Sequence, residues 1–308
     1  MSRYFLGVDG GQSSTIALIG DETGRVLGSG SAGPCNHVRV GDGREKFVGA
    51  VVGCVLAACL KAGLDAGRLR FESACLGFSG GPDDKRAIVE EIVPADRIFV
   101  TTDAWIALSG ATAGAPGIIT MAGTGSISFG RNAGGQTARA GGWGYVFGDE
   151  GGAFDIVRQA VRALLRAEEG WGLPTSLHRK LMSATGASNA NELVHLLYTS
   201  DFPRDRVASF ATLVDEAVLE GDAVARQIVH TAAQQLATIT AAVREQLFRE
   251  GEVVRVAYAG GTFRNTLLAE RFRALVEMDV DCKCGPPQHK PAMGALIEAW
   301  QAAGVRPG

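Results

Sequence analysis

"GIITMAGTGSISF", Gly117 to Phe129, and "YFLGVDGGQSST", Tyr4 to Thr15, follow one pattern. In each, an apolar run of strand length breaks into glycine and then into small hydroxyl residues. Glycine at the break lets the backbone turn sharply or come close to a ligand. A chain that builds the same strand-then-glycine turn twice invites a search for a duplicated unit.

The apolar periodicity supplies one. Period 2 predicts strands at Tyr4–Asp9, Thr15–Gly20 and Val26–Ser31. Period 3.6 predicts a helix from Arg44 to Ala62. A strand Ser73–Phe78, a helix near Asp83–Val93, a strand Ile98–Thr101 and a helix from Asp103 follow. The order then restarts with strands Gly117–Ala122, Ser126–Arg131 and Gln136–Ala140. Several helices fill Ala153 to Glu250. Strand Val253–Tyr258, helix Asn265–Val276, strand Asp279–Lys283 and a helix near Ala292–Ala302 complete it. The reading is an α/β chain of two βββαβαβα halves, the second carrying a helical insertion. Their turns would face each other across a cleft, with a hinge at "GAPG", near Gly114–Pro116.

Each turn joins strand to strand. That separates them from the G-x-x-x-x-G-K-[ST] loop, which is absent, and from a G-x-G-x-x-G turn opening a helix. Consecutive N–H groups at Gly10, Gly11, Gly123 and Gly125 can point at anionic oxygens. Ser13, Thr15, Thr124 and Ser126 add hydroxyl donors. Asp9 ends the first strand, where a carboxylate can hold Mg²⁺ through water. Phosphate is therefore the ligand class these turns suggest.

Composition narrows the field. Of 308 residues, 46% are hydrophobic and 20% charged, with net charge −3. Nothing here attracts nucleic acid or an anionic membrane. No apolar segment approaches the roughly 20 residues that span a bilayer. The opening is already strand-like, so no leader is expected and a cytoplasmic location is. Cys54, Cys59 and Cys75 lie in apolar runs. Cys282 and Cys284, in "CKCGPPQH", share one strand face with one nearby His, short of a four-ligand metal site.

Taken together, "GVDGGQSST", "NH", "FSGG", "TTDAW", "MAGTGS", "GGWGYVFGDEGG" and "AGGTFRN" resemble the actin-like ATPase and sugar kinase superfamily. Within it they resemble the N-acetylglucosamine kinase-like members of the BadF/BadG/BcrA/BcrD ATPase family. The likeness spans essentially the whole chain, and "GGWG…GDEG" is its most specific block. It implies two duplicated ribonuclease H-like (actin-like ATPase) domains, residues 1–115 with 291–308 and residues 116–290. The last helix would pack back on the first domain.

The resemblance also implies roles. Asp103 stands where these kinases keep their base; on spacing alone it is equally a helix-capping Asp. Asn36 would contact the sugar, its amide matching adjacent hydroxyls, and Ser79 matches another pocket position. Trp143 offers an indole face for a sugar ring, Gly142 keeps the wall low, and Asp149 would accept from sugar hydroxyls. Trp143 in the core and Asp149 as a helix cap are the alternatives. Thr124 would serve sugar and nucleotide alike. Gly260 and Gly261 would let adenosine lie flat, with Asn265 beside them. Where many relatives read D-G-G-G-T-K-T, this chain has Gln12-Ser13-Ser14. Ser13 retains a hydroxyl, and Gln12 is a further candidate for the triphosphate.

The expected function is Mg²⁺- and ATP-dependent phosphorylation of an amino sugar at its 6-hydroxyl, N-acetylglucosamine first, by a homodimer. Glucosamine or N-acetylmuramic acid are alternative substrates. An ATPase activator of a dehydratase or reductase, or a sugar sensor without turnover, are alternative functions. The activators need cysteines for an iron–sulfur cluster, and Cys282 and Cys284 are wrongly placed for that.

Overall fold

The structure is a computed structural model and describes residues 2–35, 38 and 41–305. It divides into two units, Met1–Pro116 with Pro287–Gly308, and Gly117–Pro286.

The first unit contains β1 (Tyr4–Gly10), β2 (Thr15–Asp21), β3 (Val26–Ala32), α1 (Gly43–Ala62), β4 (Phe71–Phe78), α2 (Arg86–Ile92), β5 (Ala95–Thr102) and α3 (Asp103–Thr112). The second contains β6 (Gly117–Ala122), β7 (Ser126–Arg131), β8 (Thr137–Gly141) and six helices: α4 (Ala153–Glu168), α5 (Leu177–Thr185), α6 (Ala190–Leu197), α7 (Arg204–Ser209), α8 (Ala211–Leu219) and α9 (Ala223–Leu247). It continues with β9 (Val254–Ala259), a 3₁₀ turn (Gly261–Arg264), α10 (Thr266–Val276) and β10 (Cys282–Gly285). The last helix, α11 (Pro291–Ala302), belongs to the first unit.

The sheets run β3-β2-β1-β4-β5 and β10-β9-β6-β7-β8. Read from β1 and from β6, the orders are the same, so the duplication predicted from the two glycine turns is present in the folded chain. In both sheets the first three strands pair antiparallel and the rest parallel. β1 reads as a near-continuous apolar run because it is central and covered on both faces. One face of the first sheet packs through Phe47, Val51, Phe71 and Phe78; the other packs through Phe5, Ile106, Leu296 and Trp300. Each such fully buried side chain contributes about 1.5–3 kcal/mol. The Trp300 indole N–H donates to the Asp21 carbonyl at 2.9 Å, tying α11 to the end of β2.

The α11–α3 contact is backbone on backbone. A Cβ on Gly294 would overlap the Ile106 carbonyl, and one on Gly110 would sit 2.7 Å from the Lys290 carbonyl. In the second unit α9 lies against β6, β7 and β8. A large cluster including Ile118, Leu164, Leu236, Val256 and Phe272 fills most of that core, beside a smaller one of Val157, Phe202 and Val207.

Two strands start three residues away from where they are expected: β5 begins at Ala95, not Ile98. β10 begins at Cys282, not Asp279. Asp279 closes a turn instead: its carboxylate accepts from the Asp281 N–H at 3.0 Å and its carbonyl from the Cys282 N–H at 2.9 Å. Short Asx side chains favour that local bonding over a sheet ladder. Among the described residues, no helix is long and apolar enough to cross a membrane.

Candidate active site

In the first unit the site is built where β1, β4 and β5 end. Register sets Asp9 beside Gly77, and Gly77 beside Thr101. The residues that follow, Gly10, Ser79 and Asp103, are thereby gathered at one end of the sheet. Thr102 caps α3, its hydroxyl oxygen accepting from the Trp105 N–H at 3.2 Å. Asp103 thus opens the helix, where the macrodipole favours a negative charge. Its Oδ1 accepts from the Ala104 N–H at 2.9 Å and its Oδ2 from the Ser79 hydroxyl at 2.8 Å. The Ser79 N–H donates to the Gly10 carbonyl at 3.2 Å.

Asp9 is the electrostatic centre of this end. Burial, and then the neighbouring charge of Asp103, push its carboxyl up to about 6. A buried carboxylate beside a second one is the hard-oxygen chemistry that Mg²⁺ relieves. Among the described residues no group of three His, Cys, Asp or Glu converges on one point. The single carboxylate of Asp9, with water and phosphate oxygens as further ligands, fits Mg²⁺ better than a metal caged by protein alone.

The first glycine turn closes through the Gly11 N–H donating to the Ser14 carbonyl at 2.9 Å. Gln12 and Ser13 are exposed on it. Thr15 is not: it is fully buried, and its hydroxyl donates to the Gly33 carbonyl at 2.8 Å. As the first residue of β2 it faces inward and serves the hairpin, which corrects its expected phosphate contact. Asn36 lies outside the described residues.

In the second unit, the second glycine turn is tied to the start of α4. The Gly123 carbonyl accepts from the Ala153 N–H at 2.8 Å and from the Thr262 hydroxyl at 3.1 Å. The Thr124 carbonyl accepts from the Phe154 N–H at 3.1 Å. Ser126 also departs from expectation. It is buried, and its hydroxyl donates to the Glu150 carbonyl at 2.6 Å, anchoring the 141–152 loop.

That loop carries Gly142, Trp143 and Asp149. The Gly142 N–H donates to the Ser126 carbonyl at 2.9 Å. Trp143 is 67% exposed, with the Arg139 guanidinium 4.6 Å from its ring centre. It is not core. Asp149 is only 5% exposed and holds a left-handed backbone, φ 63°. Its carboxylate is paired with Arg204, and the pair packs against Gly125 of the turn. Arg204 also lies 5.3 Å from the Tyr145 ring centre. Nothing in the local sequence marks Arg204, because its partners come from another element.

A cavity of about 290 Å³ adjoins this turn, lined by Gly123, Thr124, Asp215, Gly261, Thr262 and Arg264 among others. Gly260 is required by close packing: at φ 108°, a Cβ there would overlap the Ala122 carbonyl. Asn265, expected beside the nucleotide, is committed to the fold. Its side-chain oxygen caps α10 at the Leu268 N–H, 2.9 Å away, and its amide donates to Asp215. Asp215, whose carboxyl burial pushes up, is one of two acids, with Asp205, that the sequence reading missed in this cavity.

None of the six cysteines forms a disulfide, and all six are buried. Burial pushes the Cys282 thiol up to about 11 and Cys284 to about 12, the opposite of a ligating thiolate.

Comparison with known proteins extends the picture. The family model for the BadF/BadG/BcrA/BcrD ATPases matches residues 6–299. The chain belongs to this family. An N-acetylmuramic acid/N-acetylglucosamine kinase of Clostridium acetobutylicum is 31% identical over 96% of this chain and 98% of its own. An N-acetyl-D-glucosamine kinase of Dictyostelium discoideum is 26% identical over the same shares. The solved structure of a Chromobacterium violaceum protein, provisionally described as an N-acetylglucosamine kinase, superposes with a TM-score of 0.76. It is 27% identical and covers 96% of this chain and 98% of its own. The two glycine turns and the paired sheets are therefore those of an actin-like ATPase fold, and the nucleotide of this ATPase family is ATP.

Proposed function

We propose that this ATP-dependent sugar kinase transfers a phosphoryl group to the 6-hydroxyl of an amino sugar, N-acetylglucosamine first. The observation that carries the reading is Asp103: a carboxylate oriented by Ser79 and the first turn of α3, beside a second acid suited to Mg²⁺.

Phosphoryl transfer asks little covalent work of a protein. It needs the attacking hydroxyl aimed in line, its proton accepted, and the phosphate charge balanced. Asp103 accepts the proton of the 6-hydroxyl. Asp9 holds Mg²⁺, which when bound neutralises charge on the transferred group. The Gly11 N–H and the Gly123 N–H close their own turns, on the Ser14 carbonyl and the Gly125 carbonyl. The main-chain N–H of Gly125, with the side chains of Gln12, Ser13 and Thr124, binds the phosphates. The cavity lined by Gly261, Thr262 and Asp215 takes the adenosine. Trp143 stacks on the sugar ring, and Asp149, held by Arg204, accepts from its hydroxyls together with Asn36.

A second substrate, N-acetylmuramic acid, is favoured by the name of the Clostridium relative, which includes both sugars. One coupled ADP-release panel separates the choices: glucosamine, N-acetylglucosamine, N-acetylmuramic acid, glucose and N-acetylmannosamine. The test of the mechanism is Asp103→Asn. Sugar-dependent turnover is expected to fall by about 10²–10⁴-fold with the melting temperature retained. Near-wild-type turnover by the folded variant overturns the assignment of the base.

A further inference from the structure

Ser79 donates its hydroxyl proton to Oδ2 of Asp103 at 2.8 Å, and its backbone N–H to the Gly10 carbonyl at 3.2 Å. We propose that Ser79 is the positioning residue of the catalytic base, and not a sugar contact. The inference rests on the reading of Asp103 as that base.

A hydroxyl has one proton to give. With that proton on Asp103, Ser79 has only lone pairs left for a sugar. The carboxylate gains more. Oδ2 accepts from Ser79 and Oδ1 from the Ala104 N–H, so the plane of the group is fixed from both sides. Each oxygen keeps a lone-pair direction open for an incoming hydroxyl proton. Holding a base in line is where a small displacement is costly: about 1 Å can lose 10²-fold.

The segment after Ser79 is built to keep it in place. Gly80 and Gly81 both turn left-handed, at φ 77° and 89°. Just beyond them stands Lys85, a lysine only 2% exposed. Its ammonium donates to the Gly81 carbonyl at 3.0 Å and to Asp84 at 2.8 Å. A charge so deeply buried is tolerable only when paired in this way. The next residue, Arg86, donates to the Val100 carbonyl at 3.2 Å, on β5, the strand that leads into Asp103. The turn carrying Ser79 is thus held at one end by β1 and at the other by β5, the same two strands that deliver Asp9 and Asp103.

The test is Ser79→Ala and Ser79→Thr, with two readouts: kcat for N-acetylglucosamine, and equilibrium binding of that sugar by calorimetry. A positioning role lowers kcat of Ser79→Ala by about 10- to 100-fold. Sugar affinity stays within about 2-fold, and Ser79→Thr, which keeps a hydroxyl, regains most of the rate. Three results overturn the inference: kcat unchanged in Ser79→Ala, sugar binding weakened about 10-fold with kcat retained, or Ser79→Thr no faster than Ser79→Ala. If Ser79→Ala melts well below wild type, Ser79→Cys, nearly isosteric and a weak donor, reads the same split. Activity retained by Asp103→Asn overturns the kinase base itself. A dead Asp103→Asn beside a fully active Ser79→Ala overturns this inference alone.

Discussion

Asp9 lies buried at the sheet end it shares with Asp103, and burial first, then the like charge of Asp103, push its carboxyl up to about 6 from its usual 3.8. The sign of the effect on stability follows from linkage. Between those two values the folded chain binds a proton that the unfolded chain has released, so stability falls as pH rises through the window. A displacement of about two units corresponds to about 3 kcal/mol. Asp9→Asn removes the ionised form. In the absence of nucleotide it is expected to be more stable than wild type at pH 7.5, by up to about 3 kcal/mol. At pH 4 the advantage is largely gone. Urea unfolding at both pH values checks this, and an equal difference at the two would show that the ionised carboxylate of Asp9 is not the cause.

The contact between α11 and α3 depends on two glycines. At Gly294 an added methyl would meet the Ile106 carbonyl and the Gly110 backbone, none of which can rotate away. Gly294→Ala is expected to cost about 3 kcal/mol, at the upper end of overpacking. Gly49 offers the contrast. It is an exposed position inside α1 with nothing within 4 Å of an added Cβ. Gly49→Ala is expected to stabilise by about 0.5–1 kcal/mol through helix propensity alone. Thermal unfolding of the two variants, run side by side, should move in opposite directions.

How far the sequence could be read depended on the range of each signal. The two glycine turns and the repeated strand order were legible because hairpins and apolar periods are local. Which hydroxyls beside the turns face outward was not. Ser13 and Thr15 look alike in the sequence, yet Ser13 is exposed on the turn, whereas Thr15 begins β2 and points inward to the Gly33 carbonyl. Ser126 begins β7 in the same way. Asn265 followed a glycine pair suited to a nucleotide, but a residue opening a helix is first of all a cap. Arg204 was invisible because its partner Asp149 lies 55 residues away, and no local pattern encodes a pairing of that span.

That pairing can be weighed. Asp149 is nearly buried, whereas the Arg204 side chain is 37% exposed, so water relieves part of what its loss would cost. Arg204→Gln and Asp149→Asn are each expected to destabilise by about 1–3 kcal/mol, because each leaves a polar partner unsatisfied. The double variant should lose less than the sum, with a coupling of about 1–2 kcal/mol in a double-mutant cycle. Additive losses would mean that Arg204 does not hold the 141–152 loop.

Trp143 separates a binding role from a packing one. A tryptophan two-thirds exposed, its ring accompanied by one guanidinium, contributes little to the core. Trp143→Ala is therefore expected to change stability by less than about 0.5 kcal/mol. It should raise KM for the sugar by about 10-fold, the worth of roughly one stacking face, while KM for ATP stays within about 2-fold. Steady-state kinetics in both substrates, alongside a melting curve, give the three numbers. A lowered melting temperature with an unchanged sugar KM would return Trp143 to packing and remove the stacking face from the sugar site.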